Sequence, residues 1–261
     1  MRAILSGLCV CLGAATAAQA GVVVHMGAKG SSDNAPKADE VVYAQDGMLR
    51  IDKLDDEGHV RDITLIRDGT IWNVNVAKRT FMKLDKDAVA AQQSAMNDRM
   101  QSALQNMPPE RRAMIEQRMK AIQQQTHAYT LTDAGRSEHV GSYSCQIWQA
   151  TRDGKPIAEY CVAPKGSLTG GDELIAAAHK ASAVAVDIST ASPQMARAMS
   201  PIYTLYGKMD GFPVLTRHLD GGGSHNETFV TGIEKKSLPA DQFAIPKGFT
   251  EATPGRAAED D

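Results

Sequence analysis

Aromatic residues make up only 5% of this 261-residue chain, and this scarcity limits what the protein can bind. Proteins that bind single-stranded nucleic acid stack the bases on aromatic side chains along a positively charged groove. This chain has few such rings, and its formal net charge is −3 at pH 7. We therefore expect no nucleic-acid partner and no electrostatic attachment to anionic lipid.

Cysteine is also scarce, since four residues form two well-separated pairs. Cys9 and Cys11 lie in an apolar N-terminal stretch, whereas Cys145 and Cys161 flank an Asp-Gly turn signal. The C-x-x-C spacing that lowers a thiol pKa in redox motifs is missing. A three-residue hairpin loop at 152–154 would place Cys145 directly opposite Cys161. We expect these two to form a disulfide in an oxidising compartment, worth about 3 kcal/mol of stability.

Long hydrophobic runs are missing except at the N-terminus, where the run is too short to span a membrane. Arg2 precedes "AILSGLCVCLGAATA", and small residues lie at the −3 and −1 positions of the bond after Ala20. This pattern predicts a signal peptide over 1–20, because a transmembrane helix needs about 20 apolar residues. We expect a periplasmic protein with no integral membrane segment after cleavage; a short N-terminal anchor is the alternative. The small, acidic tail 251–261 is expected to be disordered.

Sequence motifs for catalysis or for a resident metal are missing as well. The seven histidines form no H-E-x-x-H spacing, and the chain has no P-loop and no dinucleotide fingerprint. Ser224 precedes His225 without a G-x-S-x-G elbow, and neighbouring strand residues point to opposite faces. His218 and His225 flank a glycine turn, and a surface pair is a simpler interpretation than a metal site. We expect no catalytic residues, no cofactor and no metal.

Hydrophobic patterns predict a single α+β domain over residues 21–250. Asp-Gly pairs at 46–47, 68–69 and 153–154 join segments rich in β-branched residues, which is typical of consecutive antiparallel hairpins. Trp72 begins a segment in which apolar residues alternate with asparagines, so one sheet face is expected to be buried. A curved antiparallel sheet of sequential strands should form a half-open β-barrel covered by about three helices.

Two of these helices are predicted to form a hairpin inserted at 87–125. Apolar residues there follow helical spacing, and Pro108-Pro109 separates the two segments. A third helix is predicted to begin with Asp172 as its N-cap and to carry an apolar stripe that includes Leu174.

Methionine is enriched in the helical hairpin, which contains five of the twelve in the chain: Met96, Met100, Met107, Met114 and Met119. Three interpretations remain open. These residues are ordinary core filler, or an adaptable apolar lining for a ligand. Alternatively, their thioethers bind copper(I), although the clustered M-x-x-M repeats that would favour this are missing.

Several segments carry a family resemblance: "LIRDGTIWNVN", "TFMKL", "GSYSCQIWQATRDGKPIAEYCVA" and the closing "LPADQFAIPKGF". Over residues 38–250 the chain resembles an uncharacterised family of bacterial envelope proteins related in fold to the periplasmic lipoprotein carrier LolA. The resemblance implies a LolA-like half-open barrel whose helices cover an apolar face. Carriers of this fold shield the acyl chains of lipoproteins or lipids. The family supplies no catalytic residues to carry over.

We therefore expect a non-catalytic periplasmic binding or carrier protein for a lipidic or other apolar ligand. Its expected partner is an apolar small molecule, a lipid or a lipoprotein acyl chain. The ligand is expected to contact Met96, Met100, Met114, Met119, Trp72 and Leu174. One alternative is an envelope interaction or stress-response protein whose helices permanently fill the barrel. A Met/His metal-binding protein is another.

Overall fold

The structure is a computed structural model that describes residues 20–30, 37–124, 129–192, 201–219 and 225–252. Residues 1–19 of the predicted signal peptide, Ser224 and residues 253–261 of the tail lie outside the described residues.

The described residues form twelve strands, four α-helices and three short 3-10 helices at Lys165–Ser167, Tyr206–Lys208 and Ala240–Phe243. The strands are β1 Ala20–Lys29, β2 Lys37–Gln45, β3 Met48–Leu54, β4 Val60–Arg67, β5 Thr70–Asn75, β6 Thr80–Leu84, β7 Tyr129–Val140, β8 Tyr143–Arg152, β9 Lys155–Pro164, β10 Gly211–Leu219, β11 His225–Ser237 and β12 Thr250–Glu251. The helices are α1 Lys86–Gln105, α2 Pro109–Gln124, α3 Gly171–Ala191 and the short α4 Pro201–Leu205.

All twelve strands belong to one sheet, in the order β12-β6-β5-β4-β3-β2-β1-β11-β10-β9-β8-β7. Every neighbouring pair is antiparallel except β12 and β6. The sheet is open, with β12 and β7 at its edges. The predicted α+β class and antiparallel sheet are therefore confirmed.

The Asp-Gly turns produce the hairpins for a simple backbone reason. Asp46-Gly47, Asp68-Gly69 and Asp153-Gly154 have positive φ at both residues, between 51° and 76°. A two-residue type I′ turn requires this conformation, and its twist matches that of the flanking strands. The predicted three-residue loop at 152–154 is therefore wrong, because Arg152 pairs with Lys155 across a two-residue turn.

The predicted disulfide between Cys145 and Cys161 is confirmed, although the register is not the expected one. A shift between Ala150 and Thr151 places Ile147, not Cys145, opposite Cys161. The two cysteines are consequently diagonal neighbours, with Cα atoms 5.2 Å apart, and both are buried. A diagonal pair lies within disulfide reach at this Cα distance.

One face of the sheet packs against α3, and we call it the α3 face. A row of paired apolar residues crosses five strands on this face: Val22, Ala44, Leu49, Ile66 and Ile71. All five are buried, and α3 contacts β1 to β5 and β10. The stripe of α3 is made largely of alanines, which lets the helix approach the strands closely.

Helix α3 begins two residues earlier than predicted. Gly170, at φ 69°, is the N-cap of α3 and supplies no side-chain hydrogen bond. Asp172 therefore lies in the first turn and is not the cap. Its charge there still complements the positive end of the helix dipole.

The opposite face of the sheet is covered by the C-terminal segment 238–249. Leu238 and Phe243 pack around Val23, while Ile245 and Phe249 join the cluster of Ile63, Leu65 and Val74. Arg50 holds the segment by donating from Nη1 to the Gln242 carbonyl oxygen at 2.9 Å, and it also binds Asp52 at 2.7 Å. The sheet is thus packed on both faces.

The helical hairpin predicted at 87–125 is present as α1 and α2. Asp85 caps α1 by accepting from the Ala88 amide at 2.7 Å, and Pro109 occupies the first position of α2. At the other end of α1, Arg112 Nε donates to the Leu104 carbonyl oxygen at 3.0 Å. Most described side chains of the hairpin are exposed, and in α1 the buried ones are Val89 and Leu104.

Candidate ligand-binding cavity

A cavity of about 410 Å³ lies between the α3 face and the helices α3 and α4. Its volume falls within the range of about 300–1,000 Å³ that is typical of small-molecule sites. The strands supply an apolar wall of Met26, Val42, Leu49, Ile51, Phe212 and Pro213. The helical side supplies Ala178, Ile202, Tyr203 and Tyr206. The polar lining residues are Asp39, Glu40, Lys53, Thr216, His218 and Thr228.

The register of β2 and β3 divides the α3 face into an apolar end and a polar end. Ala44 pairs with Leu49 beneath α3, Val42 pairs with Ile51 in the next row, and Glu40 pairs with Lys53 after that. The first two pairs are buried. The side chains of Glu40 and Lys53 are 22% and 50% exposed. The cavity therefore has an apolar interior and a charged mouth.

Glu40 is the partly buried acid of this mouth. Burial raises the pKa of its carboxyl group, and the Lys53 ammonium, with Nζ 3.6 Å from Oε1, lowers that pKa by a smaller amount. Lys53 therefore offsets the loss of hydration around Glu40 only in part. A ligand that stabilises the carboxylate would offset more of it.

Two tyrosines, Tyr203 and Tyr206, line the same cavity, and the charge of Glu40 contributes to the pKa of both. Burial, followed by the nearby Glu40 charge, raises the pKa of Tyr203. Burial likewise raises the pKa of Tyr206, with smaller contributions from Tyr203 and Glu40. The Tyr206 ring stacks on Phe212 with centroids 6.0 Å apart, which fixes it against the strand wall. Both hydroxyl groups therefore remain neutral donors.

His218 lies on β10 at the solvent-accessible edge of the cavity, where partial burial lowers the pKa of its imidazole. Thr216, two residues before it on β10, and Thr228 on the neighbouring β11 also line the cavity, and these two threonines pair with each other in the sheet register. These groups can accept or donate hydrogen bonds to a bound molecule. The lining is thus that of a binding site with a few polar contacts at one end.

The structure does not bring the sequence-predicted ligand-lining residues together. Met96 and Met114 are 39% and 68% exposed on the hairpin, and Met100 is partly buried. Leu174 is fully buried between α3 and the sheet. The side chain of Met119 lies outside the described residues.

Trp72 lies on the face opposite α3, since its neighbour Ile71 belongs to the α3 face. Its ring packs edge-on against Phe81 at 5.7 Å. The expected buried face of β5 is therefore real, but the C-terminal segment covers it, not a helix. Neither Trp72 nor the described members of the predicted set lines the cavity.

Glu40, Lys53, Tyr203 and Tyr206 were not singled out by the sequence, although a signal for each pair exists. A two-residue turn at Asp46-Gly47 fixes the pairing of Glu40 with Lys53, because residues equally far from the turn face each other. The tyrosines are three residues apart, which is the spacing of one helix face. What the sequence does not reveal is that these two pairs meet.

A second group of polar residues is explained by turn geometry. Asp55, Glu57 and His59 place potential ligand atoms within 4.8 Å of one another. However, Asp55 Oδ1 accepts from the backbone amides of Glu57 at 3.1 Å and His59 at 2.8 Å. The Asp55 side chain is therefore engaged in stabilising its own turn.

Among the described helices, none is long and apolar enough to cross a membrane.

Comparison with known proteins places the chain in a family. The family model described as "Domain of unknown function (DUF4412)" matches residues 110–249, which is more than half of the chain. The chain belongs to this family. The match begins in α2 and extends to the end of the C-terminal segment, and so includes the disulfide hairpin, α3 and the α4 side of the cavity. No curated protein matches the sequence.

Solved structures with a similar chain path include an uncharacterized conserved protein from Thermus thermophilus, at 11% identity and a TM-score of 0.40, covering 89% of each chain. PNGF-II matches at 8% identity and a TM-score of 0.43 over 90% of this chain and 31% of that one. A LolA superfamily protein from Nitrosomonas europaea matches at 8% identity and a TM-score of 0.28 over 86% and 89%. The LolA resemblance stated from the sequence is thus among the matches. Scores this low carry nothing about ligand or activity.

Proposed function

We propose that this DUF4412 protein is a non-catalytic periplasmic binding or carrier protein for a lipidic or otherwise apolar ligand. In this proposal the signal peptide 1–20 is removed after Ala20, and residues 21–250 act as one LolA-like half-barrel domain. The ligand occupies the cavity between the α3 face and α4, with its apolar part toward Val42 and Ile51.

The observation that carries the proposal is the cavity's division into an apolar interior and a charged mouth. Phe212, Ile51 and Leu49 offer an apolar wall of the kind that binds hydrocarbon, since burial of apolar surface is favourable by about 25 cal/mol per Å². Glu40 and Lys53 restrict the polar end of a ligand to the mouth. Affinity would thus come from the apolar wall and orientation from the polar groups.

A second candidate has an observation of its own. Leu174, Ala181 and Ile188 of α3 are at most 1% exposed, so this helix fills the apolar end of the α3 face. That packing favours an envelope interaction or stress-response protein whose helix never leaves the sheet. The two candidates differ in whether the cavity beside α3 is occupied in the cell.

Native mass spectrometry of protein purified from the periplasm tests the proposal. A co-purified lipid or other apolar molecule is the expected result, and sequencing of the mature N-terminus should begin at Gly21. The Thr228→Leu variant should reduce the bound fraction, because Thr228 lines the cavity and a larger side chain would occupy part of it. Met96→Leu on exposed α1 is the matched control and should leave binding unchanged.

Protein that is ligand-free after gentle purification, and that takes up none of the extracted envelope lipids, would support the interaction protein instead. The metal-binding alternative is tested with the same preparation. A copper(I) site would add about 2.7 kcal/mol of stability when the free copper concentration is a hundredfold above its Kd, and the melting temperature would rise accordingly. We expect no such shift.

A further inference from the structure

The mouth of the cavity is dominated by carboxylates. Among the described residues, Asp39, Glu40 and Lys53 line the cavity itself. Asp55, Asp56, Glu57 and Arg61 line an adjoining pocket that shares Asp39 and Lys53 with it, Lys37 lines a third pocket that shares Glu40, and Asp62 is the strand neighbour of Lys53. Two of the three bases are paired on the outside: Lys37 with Asp56 at 3.1 Å and Arg61 with Asp62 at 2.7 Å. A field of this sign attracts cationic ligands and repels anionic ones.

Lys53 is the basic residue that lines the cavity itself, and it is placed between two acids. It pairs with Glu40 on one side and with Asp62 on the other in the strand register. Its side chain is half exposed, so solvent also hydrates the ammonium group. An anionic ligand head at this point would have to compete with both carboxylates for Lys53.

Glu40, in contrast to Lys53, is mostly buried and has a single basic neighbour among the cavity-lining residues. Its side chain is 22% exposed and faces the cavity, and the closest basic atom, Lys53 Nζ, is 3.6 Å away. That separation is longer than a charge-assisted hydrogen bond, which is typically about 2.7–2.9 Å. The carboxylate thus retains capacity to accept hydrogen bonds from a ligand inside the cavity.

Aromatic rings line the cavity beside this carboxylate. Tyr203, Tyr206 and Phe212 are all lining residues, and the first two are close enough to Glu40 for its charge to act on their hydroxyl groups. Aromatic rings attract ammonium groups through their negative faces, more strongly when the cation is desolvated. A carboxylate with neighbouring aromatic rings is the chemistry that recognises an amine.

We propose that the cavity selects an amphiphile with a cationic, amine-bearing head, which Glu40 binds beside Tyr203 and Tyr206 while the apolar tail contacts Val42 and Ile51. This inference rests on the proposed binding function and names the ligand class for the same cavity. A carboxylate head would face the repulsion of Glu40, and a neutral alcohol would leave Glu40 partly desolvated with Lys53 as its cationic neighbour at 3.6 Å. The head group therefore decides selectivity.

Isothermal titration calorimetry with three ligands of equal chain length tests this. Decylamine, decanoate and decanol share their tail and differ in the charge of the head at pH 7. We expect decylamine to bind at least about tenfold more tightly than decanol, in line with the strength of hydrogen bonds to charged groups, and decanoate to bind most weakly.

Two variants locate the preference. Glu40→Gln should bring decylamine to the affinity of decanol while decanol itself is unaffected, since the tail contacts remain. Lys53→Gln should strengthen decylamine binding, because the ammonium of the ligand no longer competes with Lys53. Glu57→Gln, which removes one charge from the exposed rim, is the matched control and should change the preference far less than Glu40→Gln.

The outcomes separate the two proposals. If all three ligands bind and decanoate or decanol equals decylamine, the amine inference is overturned while the apolar-ligand function stands. An amine preference that survives in Glu40→Gln also overturns it, because the selectivity then comes from the overall field. If none of the three binds and periplasmic protein carries no lipid, the proposed function itself fails.

Discussion

Helix α3 and the α1–α2 hairpin carry apolar residues at similar spacing, but those of α3 are buried whereas those of the hairpin are largely exposed. In α3 the stripe is largely alanine, and Leu174, Ala181 and Ile188 are buried against the sheet. The predicted stripes of the hairpin contain several methionines among valine, alanine and isoleucine, and both Met96 and the flanking Met114 are exposed. The sheet therefore buries the apolar residues of α3, whereas most described side chains of the hairpin are exposed.

The difference shows that a helix is buried by the surface that receives it as much as by its own stripe. Small side chains let α3 lie close to six strands, so that strand side chains fill the space around it. The hairpin meets the rest of the protein mainly through α1, which contacts α3 and β6. Its Gln- and Met-rich surface thus has little against which to pack.

The largest effect that tests this comparison is a truncation in each helix. Leu174→Ala should lower the free energy of unfolding by about 2–5 kcal/mol, since it leaves a cavity in a sealed core. Met114→Ala should change it by no more than about 0.5 kcal/mol, because the side chain is already in solvent. Chemical denaturation of both variants measures the contrast. Similar losses would show that the hairpin is packed in solution.

A slightly smaller loss is expected when the disulfide is removed. Cys145 and Cys161 belong to the same buried cluster as Leu174, so replacing both by alanine should cost about 3 kcal/mol. Amide exchange should accelerate in β8, β9 and α3 and stay unchanged in α1 and α2. Faster exchange in the hairpin as well would indicate that the two helical regions unfold together, against the comparison above.

An intermediate effect confined to the hairpin is expected from Arg112→Ala. Arg112 donates to the carbonyl oxygens of Leu104 and Gln105 at the end of α1 and of Met107 just after it, where the regular pattern of backbone hydrogen bonds ends. Its loss should cost about 1 kcal/mol and speed amide exchange in the last turn of α1. Exposed Arg111 offers the matched control, and equal exchange in Arg111→Ala would show that the contacts of Arg112 contribute nothing.

Local signals explain which parts of this fold could be predicted. The Asp-Gly turns determine three hairpins, and Pro108-Pro109 separates α1 from α2, because these residues act through their own backbone. The partner of a surface is a long-range property. The alternation around Trp72 predicts a buried face, yet Ile245 and Phe249, which cover it, come from the other end of the chain.

The candidate site follows the same division. The pairing of Glu40 with Lys53 can be read from the turn at Asp46-Gly47, whereas the approach of Tyr203 depends on how α4 packs on the finished sheet. Methionine content pointed to the hairpin because thioethers suit adaptable surfaces. The cavity is instead lined by Val42, Leu49, Ile51 and Phe212 from the strands and by Tyr203 and Tyr206 from the helical side.

The smallest predicted effect on stability comes from the Glu40 carboxylate, whose charged form is disfavoured by burial. Burial raises the pKa of Glu40 above the 4.5 of an exposed glutamate, so the folded state keeps its proton to higher pH than the unfolded state. Stability should therefore fall as pH rises from about 4.5 through the raised pKa and level off above it. Glu40→Gln removes this slope, so its melting temperature should exceed that of the wild type near pH 7, and the gap should close below pH 4.5. Thermal unfolding between about pH 4 and pH 7 measures this difference.

Exposed Glu116 on α2 provides the control, because Glu116→Gln should shift the profile little. A Glu40→Gln variant that is less stable near pH 7 would mean that its ion pair with Lys53 outweighs the loss of hydration, and that the mouth carries no charge in need of a ligand.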